Sequence, residues 1–173
     1  MLFTVSFVAT AFSQKKAKGW HEFVSMSVGY VAVYPEAWYL LPPKLPTLRI
    51  GNFPPSRAVK AVVLPPGGAL ISILPARSDI TSIEQWAAVA GPPPAQVVSR
   101  QSLTLRWHDS KLPFEVAEMI STSLEGQESV LWCFRFSGRL LEAHVTYWQG
   151  DSNAVLYRRV LGDIVERLRP LSK

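Results

Sequence analysis

Apolar and polar residues alternate in four consecutive runs through the second half of the chain. The runs are Val97–His108, Phe114–Leu124, Ser129–Ser137 and Arg139–Gln149, and short polar turns separate them. Alternation with a period of two is typical of strands that bury one face, and short turns join antiparallel neighbours. The pattern therefore predicts an antiparallel meander of four strands.

The first half contains shorter β-rich runs separated by loops. Proline clusters such as Pro42-Pro43 and Pro65-Pro66 interrupt this half, and because proline disfavours both helix and central strand, each cluster marks a loop. Five short strands are predicted between the loops: Glu22–Ser27, Tyr30–Tyr34, Trp38–Leu41, Leu48–Phe53 and Ala69–Leu74.

A short helix is predicted between the two halves, from about Ser82 to Ala90. Thr81 and Glu84 have the spacing of a capping box, in which a hydroxyl and a carboxylate satisfy the first amides of a helix. Ile83, Trp86 and Ala87 then follow at helical spacing.

A second helix is predicted after Asp151, which we expect to act as its cap, and before Pro170, which we expect to end it. A wide apolar stripe runs along this segment: Leu156 or Tyr157, Val160, Leu161, Ile164, Val165 and Leu168. Such a stripe must be buried, so the helix should cover the core face of the sheet and bury Leu161 and Ile164.

Together these elements predict an α+β fold in which helices flank an antiparallel β-sheet. The length of 173 residues and the 48% hydrophobic composition suit one domain with a substantial core. The lone cysteine, Cys133, excludes an internal disulfide. It lies in an apolar strand, where it is predicted to be a small buried hydrophobe.

The first 13 residues carry no charged side chain and end in Ala11-Phe12-Ser13, which resembles a signal-peptide cleavage site. This predicts a signal peptide at residues 1–13, a basic segment at 14–21 and a single domain at 22–173, in an exported protein that is periplasmic or secreted. An N-terminal strand of the domain is the alternative. The stretch is too short to span a bilayer, and no cysteine follows it, so neither a transmembrane nor a lipid anchor is expected.

Composition and motifs narrow the possible chemistry. The net charge of +5 is moderate and the 18 basic residues form no dense stripe, so nucleic-acid binding is not expected. Common hydrolase, nucleotide-binding and zincin motifs are absent, and His21, His108 and His144 lack ligand spacing, so no metal or cofactor is predicted. The pairs Glu115/Glu118 and Glu125/Glu128 are predicted to be solvated rather than catalytic.

The alternation does predict a recognition face. It sets Leu141, Ala143, Val145 and Tyr147 on the core side of the last strand and Glu142, His144 and Trp148 on the other side. Cations, imidazoles and an indole suit an acidic or sugar-like ligand. The predicted ligand-binding residues are Arg106, His108, Arg135, His144 and Trp148, with Trp148 partly exposed and close to Arg135 or His108. The alternative is an ordinary solvated sheet face.

The segment Tyr34-Pro35-Glu36-Ala37-Trp38 resembles the Tyr-Pro-x-x-Trp turn of PsbP-like domains, the family of the extrinsic subunit of photosystem II. The order of the later elements, up to about Leu168, is also similar. The resemblance implies an α/β/α sandwich around an antiparallel sheet. It also implies a binding or assembly role.

These observations favour a non-enzymatic, exported binding or assembly-accessory domain over an enzyme. A protein partner or a small acidic or sugar-like ligand is expected. The alternative is a hydrolase or lyase that uses His108 or His144 with Glu142, which would require these groups to converge in a dry pocket.

Overall fold

The computed structural model describes residues 19–42, 47–55, 64–89 and 96–171. Within these ranges the chain forms ten strands and two helices. The strands are β1 (Trp20–Ser25), β2 (Tyr30–Pro35), β3 (Tyr39–Leu40), β4 (Leu48–Gly51), β5 (Ala69–Pro75), β6 (Gln96–Arg106), β7 (Pro113–Thr122), β8 (Gln127–Phe136), β9 (Arg139–Trp148) and β10 (Arg169–Pro170). The helices are α1 (Ile83–Val89) and α2 (Ala154–Glu166).

The strands form two antiparallel sheets. The larger sheet has the order β3-β4-β5-β9-β8-β7-β6, so the predicted meander of β6 to β9 is confirmed. Strand β5 pairs with β9, with Ile71 opposite Val145, and brings the first half of the chain to the meander. The smaller sheet has the order β1-β2-β10. The prediction that Pro170 ends α2 was wrong: the helix ends at Glu166, and Pro170 pairs with Tyr30 of β2.

Helix α2 covers one face of the large sheet, which we call the core face. Leu161 and Ile164 are fully buried against it, as predicted. Tyr157 belongs to the buried stripe, whereas Leu156 is exposed. The core face of β9 carries the four residues predicted from the alternation: Leu141, Ala143, Val145 and Tyr147.

The start of α2 differs from the prediction. Asn153, not Asp151, is the N-cap residue, and its side chain makes no capping hydrogen bond. The Asp151 carboxylate instead accepts a hydrogen bond of 2.8 Å from the amide of Asn153, the residue directly before the helix. Asp151 thus orders the turn that leads into the helix rather than capping the helix itself.

Helix α1 covers part of the opposite face, and the two helices on opposite sides of the sheet form the expected α/β/α sandwich. Ile80 and Trp86 pack there with Met119, Leu131 and Cys133 as a second apolar cluster. The predicted capping box was displaced by one residue. The Ser82 hydroxyl accepts from the Gln85 amide at 3.1 Å, and the Gln85 side chain accepts from the Thr81 amide at 2.9 Å.

Two carboxylates predicted to be solvated are held inside the fold. Glu118 is buried, and its oxygens accept hydrogen bonds from the Trp132 indole at 2.8 Å and the Gln101 amide at 2.5 Å. Glu128 pairs with Arg158 of α2 at 2.8 Å and joins it to the Tyr147 hydroxyl. These partners satisfy the buried polar groups and tie α2 to the sheet.

The predicted signal peptide at residues 1–13 and most of the basic segment at 14–21 lie outside the described residues. The first strand includes the end of that segment, since β1 begins at Trp20. No helix within the described ranges is long and apolar enough to cross a bilayer.

Candidate functional site

The predicted recognition residues are distributed along the sheet rather than gathered. Trp148 pairs with Gln127 of β8, eight residues from Arg135 on the same strand. At about 3.3 Å per residue, roughly 26 Å separates these two positions. Trp148 is partly exposed, as predicted. The prediction that it lies close to Arg135 or His108 was wrong, because His108 follows the end of β6 that is remote from Trp148.

The Trp148 indole has a local role. Its Nε1 donates to the backbone oxygens of Leu64 and Pro65, at 3.2 and 3.0 Å. These contacts hold the segment that leads into β5 against the end of β9. The indole therefore has a structural partner independent of any ligand.

The sheet face opposite α2 is not an open polar surface. Leu131 and Cys133 are buried on it beneath α1. Burial raises the pKa of the Cys133 thiol to about 12, with a further increase from the nearby Glu142 carboxylate. Cys133 is thus the predicted buried hydrophobe, protonated at neutral pH.

His144 and Glu142 form a pair on this face. His144 Nε2 lies 3.0 Å from Glu142 Oε2, and both side chains are largely shielded from solvent. Ser72 of β5 lies directly opposite His144 in the strand register. No group of three or more His, Cys, Asp or Glu side chains within the described ranges could hold a metal ion.

Arg106 and His108 lie at the far end of β6. Arg106 is exposed, and its Nη1 donates to the Lys111 oxygen at 3.1 Å across the β6–β7 turn. His108 lies in that turn and its Nδ1 is 3.1 Å from Asp109 Oδ1. The predicted pairing of His108 with Glu142 does not occur, because Glu142 aligns across β8 and β7 with Ser102 of β6, six residues before His108.

A cleft of about 330 Å³ opens at this end of the sheet. Three segments line it: the β6–β7 turn with Trp107 and Asp109, the β8–β9 hairpin with Phe136 and Ser137, and the residues that follow α2. Arg135 also contributes to the lining, so one of the five predicted residues belongs to this cleft and two others lie beside it.

Aromatic rings form one wall of the cleft. The Trp107 ring stacks on Phe114 with a centroid separation of 3.8 Å, and it meets the edge of Phe136 at 5.6 Å. Both neighbours belong to the core face or pack against it. Because the core supports the indole from behind, this wall is pre-organised.

Backbone contacts fix the other walls. The His108 amide donates to the Glu166 oxygen at 2.7 Å and joins the β6–β7 turn to the end of α2. Ser137 and Gly138 have φ values of +46° and +80°, which is typical of a two-residue hairpin turn of type I′. The turn holds Ser137 at the mouth of the cleft.

The charges around the cleft nearly balance. Asp109 and Glu166 contribute two carboxylates, and Arg135 and Arg169 two guanidinium groups. The Arg169 guanidinium also pairs with Glu22 of β1 at 2.9 Å. The cleft therefore lacks the excess positive charge that a phosphate or acidic ligand would need.

Sequence reasoning missed this cleft. Trp107 follows Leu103 and Leu105 at a spacing of two, and like them it packs against the core face. No local signal, however, links Trp107 to Glu166 and Arg169, some 60 residues further along the chain. The contact arises only when α2 folds back over the sheet.

Comparisons with known proteins give a likeness of overall structure alone. No protein-family model and no curated protein sequence matches this chain. One similar structure is a crystal structure from Bacteroides thetaiotaomicron VPI-5482, with 14% sequence identity and a TM-score of 0.45. The match covers 88% of this chain but only 48% of that protein, so this chain spans about half of its length. The solution structure of cyanobacterial PsbP (CyanoP) from Synechocystis sp. PCC 6803 is 10% identical with a TM-score of 0.45, over 94% of this chain and 98% of that one. Such values do not assign this chain to a family or a function.

Proposed function

We propose that this protein is a non-enzymatic binding domain whose cleft receives an apolar or aromatic side chain of a protein partner. The observation that carries the proposal is the cleft at the end of the sheet, with its supported indole wall and its balanced polar rim. A volume of about 330 Å³ lies at the small end of the range for ligand sites. It suits one or two side chains better than a large cofactor.

The balanced charge favours a peptide over the other expected ligands. An acidic ligand would gain from Arg135 and Arg169 but would be repelled by Asp109 and Glu166. A sugar would need a broad open indole face, whereas Trp107 already stacks on Phe114 and contacts the rings of Phe134 and Phe136. A neutral peptide can donate to the carboxylates and accept from the guanidinium groups at the same time.

The chemistry of the lining supports binding rather than catalysis. Its polar groups are carboxylates, guanidinium groups and the Ser110 and Ser137 hydroxyls, and none of the described residues that line it is a histidine, cysteine or lysine. A serine nucleophile requires an adjacent base, which a histidine usually supplies. The cleft therefore offers recognition groups without an activated nucleophile.

Filling the cleft with a large side chain should weaken the binding of a partner peptide without unfolding the domain. Ser110 is exposed at the rim, so Ser110→Trp would place an indole over the opening. Peptides selected from a random displayed library on the unmodified protein should bind this variant at least about tenfold more weakly, equivalent to about 1.4 kcal/mol. Fluorescence anisotropy with labelled peptides measures the difference.

Ser152→Trp is the matched control, because Ser152 is exposed before α2 and does not line the cleft. It should bind the selected peptides like the unmodified protein. Equal binding by both tryptophan variants and the unmodified protein, or a failure to select any peptide, would contradict the proposal.

A hydrolase is the second candidate, on the basis of the His144–Glu142 contact at 3.0 Å and of Ser72 opposite His144. A carboxylate that orients a histidine beside a serine is the arrangement that activates a nucleophile. A fluorophosphonate probe should then label Ser72 and leave the Ser72→Ala variant unlabelled. Absence of labelling at Ser72 would eliminate this candidate.

Export is part of the proposal and rests on the uncharged apolar stretch that ends at Ser13. Protein purified from the native host should begin near Gln14, and intact-mass spectrometry checks this.

A fusion protein gives a second measurement. Residues 1–20 fused to alkaline phosphatase, an enzyme that is active only after export, should give phosphatase activity. Replacing Val8 with Arg in the fusion should abolish that activity, because a charge interrupts the apolar run. A soluble native protein that retains Met1 would contradict the prediction.

A further inference from the structure

Strand β6 forms one edge of the large sheet. Its eleven residues, Gln96–Arg106, pair with β7, and no other strand of the described ranges lies on its second side. Alternate residues of an edge strand direct their N–H and C=O groups away from the sheet. β6 therefore presents a row of backbone donors and acceptors to an extended segment.

The edge is regular over most of its length. The register with β7 shifts between Val97 and Ser99, where the strand carries a bulge, and is continuous from Ser99 to Arg106. These eight residues contain neither proline nor lysine, which are residues that commonly protect sheet edges. A straight run of this length can support an added strand.

The two faces of β6 have different chemistry. Leu103 and Leu105 are half-buried and pack against the core face. Arg100 and Arg106 are exposed and alternate with the leucines on the other face. The strand itself contains no acidic residue, so its own charges are all positive, and the nearest carboxylate in register on that face is that of Glu115 on β7, opposite Thr104.

We propose that β6 captures an extended acidic segment of another protein by antiparallel strand addition. The partner would place apolar residues opposite Leu103 and Leu105, extending the apolar row of the core face. It would place carboxylates opposite Arg100 and Arg106, six positions apart. Opposite charges across neighbouring strands are stabilising, and the net charge of +5 attracts an acidic segment from a distance.

A second copy of this chain fits the edge less well. The antiparallel register that sets Leu103 of each copy opposite Leu105 of the other is centred on Thr104. It places Arg106 of each copy opposite Ser102 of the other, and Arg100 opposite His108. Self-association thus places no carboxylate opposite either arginine and forgoes the stabilising pairs of opposite charge that an acidic segment would supply. The charge pattern therefore selects an acidic partner over self-association.

A capped synthetic peptide with the sequence Glu-Val-Thr-Val-Thr-Thr-Glu tests the proposal, since it places its residues opposite Arg106 to Arg100 in order. Binding should slow the hydrogen exchange of backbone amides within residues 99–106, measured by NMR. Arg106→Glu should weaken binding at least about fivefold at low salt, because an attractive contact becomes a repulsive one. The same peptide with Lys in place of both Glu should bind the Arg106→Glu variant more tightly than it binds the unmodified protein.

Arg159→Glu is the matched control, because it makes the same charge change at an exposed position on α2 and should leave peptide binding unchanged. If Arg106→Glu does not fold, Thr104→Glu places a carboxylate on the same exposed face and should weaken binding in the same way. No added protection within residues 99–106, or equal weakening by Arg159→Glu and Arg106→Glu, would overturn the proposal. So would a dimer, seen by sedimentation velocity, that protects these amides without peptide.

The experiment on the β6 edge can be told apart from the experiment on the cleft. Ser110→Trp replaces no residue of β6, and Arg106→Glu replaces none of the residues that line the cleft. Each interaction can therefore fail while the other survives.

Discussion

Replacing Ile164 with Asp should lower the free energy of unfolding by about 4 kcal/mol or more. Ile164 is fully buried between α2 and the core face of the sheet. The substitution removes apolar burial and introduces a carboxylate without a partner in a low-dielectric environment. Urea denaturation followed by circular dichroism measures the change.

Val155→Asp is the matched control on the same helix, because Val155 is 80% exposed and lies in the first turn, where a carboxylate is compatible with the helix dipole. It should change the stability by less than about 0.5 kcal/mol. If Ile164→Asp does not fold, Ile164→Ala should still cost about 2–5 kcal/mol. A loss below about 1 kcal/mol for either Ile164 variant would mean that α2 is peripheral to the fold.

Truncating Trp86 to Ala should lower the free energy of unfolding by about 3–5 kcal/mol. Trp86 is 1% exposed and is the large side chain through which α1 packs on the sheet. Its removal leaves a cavity above Leu131 and Cys133, which belong to the same apolar cluster. Chemical denaturation gives the global effect.

Cys133 reports the local effect of the same change. In the unmodified protein its thiol is fully buried and its pKa is raised to about 12 by burial, so a thiol reagent should modify it only slowly. Modification should accelerate in Trp86→Ala. Val89→Ala is the matched control, since Val89 is 52% exposed on the same helix, and it should leave both measurements nearly unchanged. Equal stability of Trp86→Ala and Val89→Ala would show that α1 does not seal this face.

The pattern of apolar and polar residues predicted some elements well. In these elements, whether a side chain is buried follows from its position along a single strand or helix. The alternation of apolar and polar residues assigned Leu141 and Val145 to the core face, because successive residues of a strand point to opposite sides of the sheet. Helical spacing identified Leu161 and Ile164 as buried for a similar reason. The errors at the two helix starts were small, because Thr81, Ser82 and Asp151 all carry side chains that can cap.

The recognition face could not be predicted in the same way. The alternation along the strands placed Arg135, His144 and Trp148 on the same side of the sheet. It does not show how far apart these residues lie along the strands. The polar residues Glu118 and Glu128 were also predicted to be solvated, because the chain alone does not reveal that Trp132 and Arg158 lie beside them. Partners of this kind are set by packing between elements.

The sequence by itself determined the α+β class, the four-stranded meander and the buried stripe of α2, since these depend on the local periodicity of apolar residues. Only the tertiary structure decided that β5 joins β9, that β10 joins β2 and that α1 covers Cys133. It also decided that Trp107 meets the residues after α2 to form the cleft. These contacts join segments far apart in the chain, and the physical cause is that apolar surfaces are buried by whichever elements fit together in space, which no local pattern encodes.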